Sequence, residues 1–363
     1  MGNLERMHSI EAARGIAAFA VVLLHAANLM AVDHFSGRVG LGGLFGFGYV
    51  GVDFFFTLSG FIIAFVHFDD IGRPKQLGTY VRKRLVRIYP IYWFCLVLAI
   101  AILVTGRMFL NKDTSLGFFN SDIAGTIFLL PVSAPKFVEV AWSLQYELMF
   151  YGAFALLVAN RRLGIASFLI WFIAILWRLL LVPENSSFGG LLSAYSLQFL
   201  FGVMTAAITR NRDFAWAGKS LFLFGVCCFG TSTYYERAMA DAPHGPVGQL
   251  LLGFSASLIL FSLVELEKKK LIHTPRFMYQ LGSVSYSIYL SHIIFLNLAY
   301  SVLLKAGLYH RLPEVVVFSL SVVAAAICSV LIGFLVELPL GRLLKRQTLP
   351  VQAMPNPAVL NHH

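Results

Sequence analysis

The chain carries little charge and very little cysteine. Only 13% of its 363 residues are Asp, Glu, Lys or Arg, against 58% hydrophobic residues and a mean hydropathy of +0.76. This composition excludes a water-soluble globular domain. The four cysteines lie in apolar segments without the paired spacing of a metal site or a disulfide framework, so we interpret them as packing residues and predict no metal.

The chain also lacks an internal repeat of the kind that doubles many transporters, and no soluble domain fits between its apolar segments. Ten continuous apolar windows are long enough to cross about 30 Å of hydrocarbon as helices. They lie near residues 12–32, 48–68, 86–105, 141–159, 163–182, 190–209, 218–235, 247–264, 284–304 and 314–338. The sequence therefore predicts an all-α polytopic membrane protein with about ten transmembrane helices, an integral domain over 1–346 and a disordered tail over 347–363.

The basic residues predict an orientation. With the amino terminus in the cytoplasm, 20 of the 28 lysines and arginines fall at cytoplasmic ends of the windows and 8 on the other side. We therefore expect both termini in the cytoplasm. The net charge of +10 is explained by this asymmetry and by contact with anionic membrane lipid, without a nucleic-acid partner.

Two ionisable residues interrupt the first window. Arg14 and His25 are eleven positions apart, a step of about 1100° on a helix, so both side chains project from one face roughly 16 Å apart. Ionisable residues within a membrane are costly and mark functional sites. One face of this helix is predicted to carry a cation near the membrane edge and an imidazole deeper inside.

The second window begins with a glycine-rich stretch and contains Asp53 and Ser59. Dense glycines let backbones approach closely, or let a non-helical stretch line a cavity. Asp53 is a candidate for lining the site, with pairing to an arginine as the alternative.

The third window is preceded by Arg84 and Arg87. Three positions apart, they form a two-pronged basic face on a helix, which suits phosphate oxygens. The alternative, which charge by itself favours, is ordinary retention of positive residues at a cytoplasmic membrane edge.

The fourth window opens with Trp142, Ser143 and Glu147. Glu147 lies about 9 Å below the outer boundary and His25 about 20 Å above the inner one, so their depths coincide. Such a pair could move protons. A structural ion pair between Glu147 and Arg178 of the next window is the alternative.

The ninth window places Tyr286, Ser287 and a second imidazole, His292, near the middle of the membrane. His292 either lines the site or forms a hydrogen-bonded contact between helices. At the end of the last window, Glu337 is predicted to form a salt bridge with nearby Arg342.

In this order, the segments resemble the acyltransferase family three of integral membrane O-acyltransferases, especially members that acetylate bacterial exopolysaccharide. The matching segments are Arg14-Gly-Ile-Ala-Ala with His25, Gly51-Val-Asp53-Phe-Phe-Phe with Ser59-Gly60-Phe61, Arg84-Leu-Val-Arg87 before Tyr89-Pro90, Trp142-Ser143-Leu144 with Glu147, and Ser285-Tyr286-Ser287 with His292.

The resemblance implies a bacterial inner-membrane enzyme that transfers an acyl group, expected to be acetyl, from cytoplasmic acyl-CoA to a sugar hydroxyl of a free or lipid-linked saccharide. It makes His25 the essential histidine, Arg14 its paired basic residue, and Arg84 with Arg87 the cytoplasmic arginine pair. We expect the CoA phosphates to be held by Arg84 and Arg87, with Arg14 as a third residue of the donor site.

The hypothesis that follows assigns His25 as the base that deprotonates the acceptor, with Glu147 orienting its ring. A covalent acyl-histidine is an allowed variant. Ser59, Tyr286 or Ser287 could donate to the developing oxyanion. The competing classes are a transporter or flippase of a lipid-linked saccharide and a non-catalytic assembly protein of a polysaccharide synthase; the sequence leaves the oligomeric state open.

Overall fold

A computed structural model describes residues 7–33, 35–109, 123–131, 137–181, 192–211, 214, 218–238 and 245–346, which contain α-helices, short turns and no strand. The predicted all-α class is confirmed, whereas the predicted tail 347–363 lies outside the described residues. The helices are α1 His8–Met30, α2 Val50–His67, α3 Leu77–Phe109, α4 Ile123–Phe128, α5 Trp142–Ala159, α6 Arg161–Leu181, α7 Ala194–Asn211, α8 Lys219–Ala238, α9 Pro246–Lys268, α10 Arg276–Ser283, α11 Ser285–Lys305, α12 Glu314–Ile332 and α13 Leu338–Arg346.

Among the described residues, seven helical segments are long and apolar enough to cross a membrane, which confirms a polytopic membrane protein. They are His8–Met30, Val50–Asp70, Pro74–Met108, Arg161–Leu181, Pro246–Lys268, Ser285–Lys305 and Glu314–Leu344. The other three predicted windows correspond to α5, α7 and α8, which are long helices but are not among the seven. The count of ten spans and the cytoplasmic position of both termini stay predictions.

Helix α3 is longer than its predicted window. It begins at Leu77 rather than near residue 86 and runs for 33 residues, about 50 Å at 1.5 Å per residue. Arg84 and Arg87 therefore lie on the helix itself. They project from one continuous rod instead of from a loop, so their spacing is fixed.

Close packing of α2 against α7 depends on glycine. A Cβ placed on Gly202 would lie 1.9 Å from the carbonyl oxygen of Thr57, and one on Gly60 would lie 2.0 Å from that of Phe199. Only glycine permits this separation of the two backbones. The contact holds α2, which carries Asp53 and Ser59, against the rest of the bundle.

The glycine-rich stretch before α2 serves the same purpose against α1. A Cβ on Gly51 would lie 2.4 Å from the carbonyl oxygen of Ala17, and one on Gly48 would lie 2.1 Å from that of Ala20. This confirms the prediction that these glycines let backbones approach closely.

Helices α10 and α11 pack against another side of α1. A Cβ on Gly15 would lie 3.1 Å from the backbone nitrogen of Gly282 in α10, and α11 begins just after the turn at Val284. The chain of α11 therefore rises beside α1 from this crossing. The two histidines of these helices are brought together in this way.

After α12 the chain forms a π-helical turn over Gly333–Glu337 and then continues as α13. The wider π turn changes the direction in which side chains leave the helix axis, and such turns are often found at functional sites. Glu337, its last residue, is 9% exposed and projects into the bundle.

Candidate active site

An open cavity lies between α1, α2, α3, α5 and α11. It brings together seven of the residues that the sequence analysis singled out, which are Arg14, Ser59, Arg84, Arg87, Ser143, Glu147 and Tyr286. The remaining candidates do not line it and are His25, Asp53, Trp142, Ser287 and His292. The cavity therefore joins the predicted basic face to the predicted carboxylate, while the histidines lie beyond its wall.

Arg87 is the cavity arginine that has an acidic partner. Its Nη1 donates to Oε1 of Glu337 at 3.1 Å, and its guanidinium lies 5.1 Å from the centre of the Tyr286 ring. The second carboxylate oxygen of Glu337 accepts from the backbone N–H of Ser287 at 3.1 Å and from its hydroxyl at 2.7 Å. The predicted salt bridge between Glu337 and Arg342 is thus wrong, because the π turn directs the carboxylate toward α3 and α11.

Arg84 and Arg14 form no salt bridge with any residue that the structure describes. Nη2 of Arg84 donates to Nε2 of His67 at 3.3 Å, and the guanidinium lies 5.6 Å from the centre of the Tyr151 ring. Arg14 has no hydrogen-bond or ion-pair partner among the residues that the structure describes. Two cations without acidic partners therefore face the cavity, an arrangement that attracts an anionic ligand.

The carboxylate of Glu147 lies in the wall of the cavity. Its Oε1 accepts from the hydroxyl of Ser59 at 3.0 Å and from the hydroxyl of Tyr151. The alternative pairing with Arg178 is not observed, since Nη1 of Arg178 donates to the carbonyl of Leu192 at 2.8 Å. Glu147 forms no hydrogen bond with His25 within the described chain, so the predicted contact between them is wrong.

The partner of His25 is the second histidine. Nδ1 of His25 lies 3.2 Å from Nε2 of His292, and the ring centres are 5.0 Å apart at an interplanar angle of 60°. His292 is fully buried. Of the two interpretations of His292 offered by the sequence, the hydrogen-bonded contact between helices is the one observed.

Backbone carbonyls determine where the protons of this pair reside. Nδ1 of His25 lies 2.9 Å from the carbonyl oxygen of Val21, and Nδ1 of His292 lies 3.1 Å from that of Ile288. A carbonyl only accepts, so each neutral ring carries its hydrogen on Nδ1. The single Nδ1–H group of His25 is then shared between the carbonyl oxygen of Val21 and Nε2 of His292, and Nε2 of His25 is left with a lone pair on a half-buried ring.

Tyr289 stands between the cavity and the histidine pair. It lines the cavity, and its hydroxyl lies 2.8 Å from that of Ser143 and 3.1 Å from the carbonyl oxygen of Val140. The centre of its ring is 6.2 Å from that of His292, which follows it by one helical turn. The cavity therefore ends one turn short of the two imidazoles.

Asp53 and Trp142 belong to a separate region. Asp53 is 1% exposed, and its Oδ1 accepts from Nε2 of Gln198 at 2.6 Å, so its partner is an amide and not the arginine offered as an alternative. The Trp142 ring packs in an aromatic cluster, with its centre 5.8 Å from that of Tyr146 and 5.6 Å from that of Tyr195. Their contacts hold α2, α5 and α7 together.

The sequence analysis missed Tyr289 and His67. Tyr289 follows Tyr286 by three positions on α11, a spacing that puts both rings on one helical face and could have identified it. His67 lies just before the short segment leading to the arginines of α3, and no local pattern links it to them.

Comparisons with known proteins identify the family of the chain. A family model described as an acyltransferase domain matches residues 7–334. The chain is 27% identical over 316 residues to the exopolysaccharide production protein ExoZ of Rhizobium meliloti (strain 1021), an alignment that covers 82% of this chain and 91% of the relative. No solved structure matches.

Proposed function

The chain belongs to the acyltransferase family whose model matches residues 7–334, and from this premise we propose that it transfers an acetyl group from cytoplasmic acetyl-CoA to a hydroxyl of an exopolysaccharide. The acceptor is a saccharide unit, free or carried on a lipid, at the inner membrane of a bacterium. The similarity to an exopolysaccharide production protein of Rhizobium meliloti supports this acceptor class.

The observation that carries the proposal is the cavity, which has two arginines without salt-bridge partners at one end, while its other end stops one helical turn from a paired imidazole. Arg14 and Arg84 suit the phosphates of CoA, because guanidinium groups form paired hydrogen bonds with phosphate oxygens. The thioester arm of the donor would extend from there past Ser59 and Tyr286 toward Tyr289.

The chemistry rests on His25. Its Nε2 would take the proton of the acceptor hydroxyl as that oxygen attacks the thioester carbonyl carbon. The carbon–sulfur bond then breaks, and the proton passes from the imidazolium to the CoA thiolate, so no net proton is gained or lost. His292 would hold the His25 ring by accepting from its Nδ1–H, the orienting role in hydrolytic triads.

Glu147 has a different role in this proposal from the one expected from depth alone. Since its carboxylate accepts the hydroxyl hydrogens of Ser59 and Tyr151, it would hold these two side chains in the wall of the cavity, and neither hydroxyl has a second hydrogen to donate. The hydroxyl of Tyr286 would instead exchange its 3.2 Å hydrogen bond to the carbonyl oxygen of Ile88 for one to the oxygen that becomes negative in the transition state.

The test is transfer of labelled acetyl from acetyl-CoA to the exopolysaccharide repeat unit in proteoliposomes. His25→Ala should abolish transfer, whereas His273→Ala, which removes an exposed histidine, should leave it unchanged. Wild-type transfer by correctly inserted His25→Ala protein would exclude His25 as the base.

The same assay separates this function from its competitors. A transporter would move the lipid-linked saccharide across the vesicle without forming an acetylated product. A non-catalytic assembly protein would tolerate His25→Ala in cells, and the mass of the secreted polysaccharide would not change. Either result would contradict the proposed transfer reaction.

A further inference from the structure

A third histidine, His67, lies at the end of α2, away from the pair of His25 and His292, and has two polar partners. Nδ1 of His67 is 2.7 Å from Oδ2 of Asp70, and its Nε2 is 3.3 Å from Nη2 of Arg84. The His67 side chain is 2% exposed and that of Asp70 is 27% exposed. These residues form a chain of hydrogen bonds from the membrane edge to a cavity arginine.

The two ends of this chain fix the protonation of His67. A carboxylate only accepts, so Nδ1 carries a hydrogen toward Asp70, and a guanidinium only donates, so Nε2 presents a lone pair to Arg84. The ring is therefore neutral. A second proton on Nε2 would place an N–H group against the N–H of Arg84 and break the contact.

The neutral acceptor has an electrostatic consequence for the cavity. Arg87 is held by the carboxylate of Glu337 and so shares its charge with an anion. Arg84 is held by an uncharged ring, and in the described part of the chain no acidic side chain reaches it. It is fixed in place without losing its field in the cavity, which a carboxylate partner would cancel.

The turn that carries Asp70 is itself anchored. Nη2 of Arg210, from α7, donates to the carboxylate of Asp69, and its Nη1 donates to the carbonyl oxygen of Phe65 at 2.8 Å. The short helical turn Phe68–Asp70 is thus tied to the bundle. This anchoring holds the carboxylate of Asp70, three positions after His67, within reach of Nδ1 of His67.

We infer that His67 and Asp70 are positioning residues that hold Arg84 toward the cavity, as a cation without a salt-bridge partner, for the phosphates of the acyl donor. This inference rests on the proposed function, because it concerns the same donor site. His67 and Asp70 would act through Arg84 and would not touch the acyl group.

Two amide substitutions of His67 separate its two contacts. In His67→Gln the side-chain oxygen can occupy the position of Nε2 and still accept from Arg84. In His67→Asn the amide can still donate to Asp70 but is too short to reach Arg84. The control is Arg82→Ala, which removes an exposed arginine from the same helix.

The inference predicts a loss confined to donor binding. His67→Asn should raise KM for acetyl-CoA about tenfold, equivalent to about 1.4 kcal/mol, and should keep kcat within about twofold of wild type. His67→Gln should keep both KM and kcat within about threefold of wild type. Binding of 3′,5′-ADP, which carries phosphate but no thioester, should weaken in parallel, whereas use of S-acetylpantetheine, a thioester without the nucleotide, should not change.

The Arg84→Ala variant distinguishes the possible failures. If Arg84→Ala weakens binding of 3′,5′-ADP and His67→Asn does not, the positioning role is overturned while the donor site stands. If His67→Asn weakens binding further in the Arg84→Ala background, His67 acts by another route and the inference is also overturned. If Arg84→Ala leaves binding unchanged, the proposed donor site itself is wrong.

Discussion

The pair of His25 and His292 gives the most direct test of the catalytic proposal. We consider replacing His292 by Met or by Gln, two side chains of similar length. Gln offers an oxygen near the position of Nε2 that can accept from Nδ1–H of His25, and Met offers no comparable acceptor. Because His292 is fully buried, both variants keep a side chain of suitable size in the same space.

The size of the effect follows from the contacts of His25. The His292→Met substitution would remove the 3.2 Å hydrogen bond between the rings, and a hydrogen bond contributes about 0.5–1.5 kcal/mol net. The 2.9 Å contact between Nδ1 of His25 and the carbonyl of Val21 stays, so the correct tautomer is still favoured. We therefore expect kcat to fall about tenfold in His292→Met, far less than the roughly 10⁴-fold loss caused by a mis-set tautomer.

The assay is steady-state acetyl transfer in proteoliposomes with the inserted protein quantified, together with a thermal unfolding midpoint for each variant. His292→Met should lower kcat with KM for acetyl-CoA unchanged, and His292→Gln should recover kcat to within about twofold of wild type. Full kcat in His292→Met would refute the orienting role. Equal losses in both variants would mean that ring shape, and not acceptance of the hydrogen bond, is what matters.

Three further predictions concern contacts described above. Glu337→Gln should lower the free energy of unfolding by about 2–3 kcal/mol, a figure reduced because Arg87 is 37% exposed. The thermal midpoint in detergent should fall in this variant and stay unchanged in Arg342→Gln. An equal fall in both variants would support the salt bridge between Glu337 and Arg342 that the sequence predicted. Gly202→Ala should lower the free energy of unfolding by about 1–3 kcal/mol, because the added methyl group forces α2 and α7 apart. The control Gly230→Ala, at a position with open space around it, should leave stability unchanged or raise it. Unchanged stability of Gly202→Ala would contradict the close contact. Arg14→Gln should raise KM for acetyl-CoA about tenfold with little change in kcat, and a change in kcat alone would argue against phosphate contact.

The sequence predicted the all-helical membrane class and seven segments long and apolar enough to cross a membrane, because hydrophobic length is a local property. It also placed His25 and Glu147 at one depth, but depth specifies only height along the membrane normal. Which helices are neighbours at that height depends on packing, and α1 packs against α10 and α11. The imidazole of His25 therefore meets His292 and not Glu147.

A signal for the histidine pair is nevertheless present in the sequence. His25 follows Gly15 by ten residues, and His292 follows Gly282 by ten residues. The two glycines are in contact where α1 crosses α10. From this crossing α1 continues unbroken to His25, while the other chain segment passes the turn at Val284 before α11 carries His292. This spacing is informative only once the glycine crossing is known, so the sequence by itself does not reveal the pair.

Glu337 illustrates the limit of local reasoning at a helix end. Closeness in the sequence suggested Arg342, five positions after Glu337, although five positions turn a regular helix by about 500° and put the two side chains on different faces. The π turn over Gly333–Glu337 adds a residue to the turn and directs the carboxylate to the start of α11. There it meets the N–H group of Ser287, one of the first N–H groups of that helix, whose positive dipole end favours an anion.

The distribution of charge along α1 and the cavity argues for a long, asymmetric ligand. Arg14 lies at one end and His25 roughly 16 Å farther along the same helix, and the cavity lined by Arg14 reaches Tyr289, one turn before His292. A compact anion would occupy the arginine end without approaching the imidazoles, and a neutral saccharide would gain nothing from cations without salt-bridge partners. A donor with phosphates at one end and a thioester at the other uses both ends at once, which is the physical reason to favour transfer from acyl-CoA over transport of a saccharide.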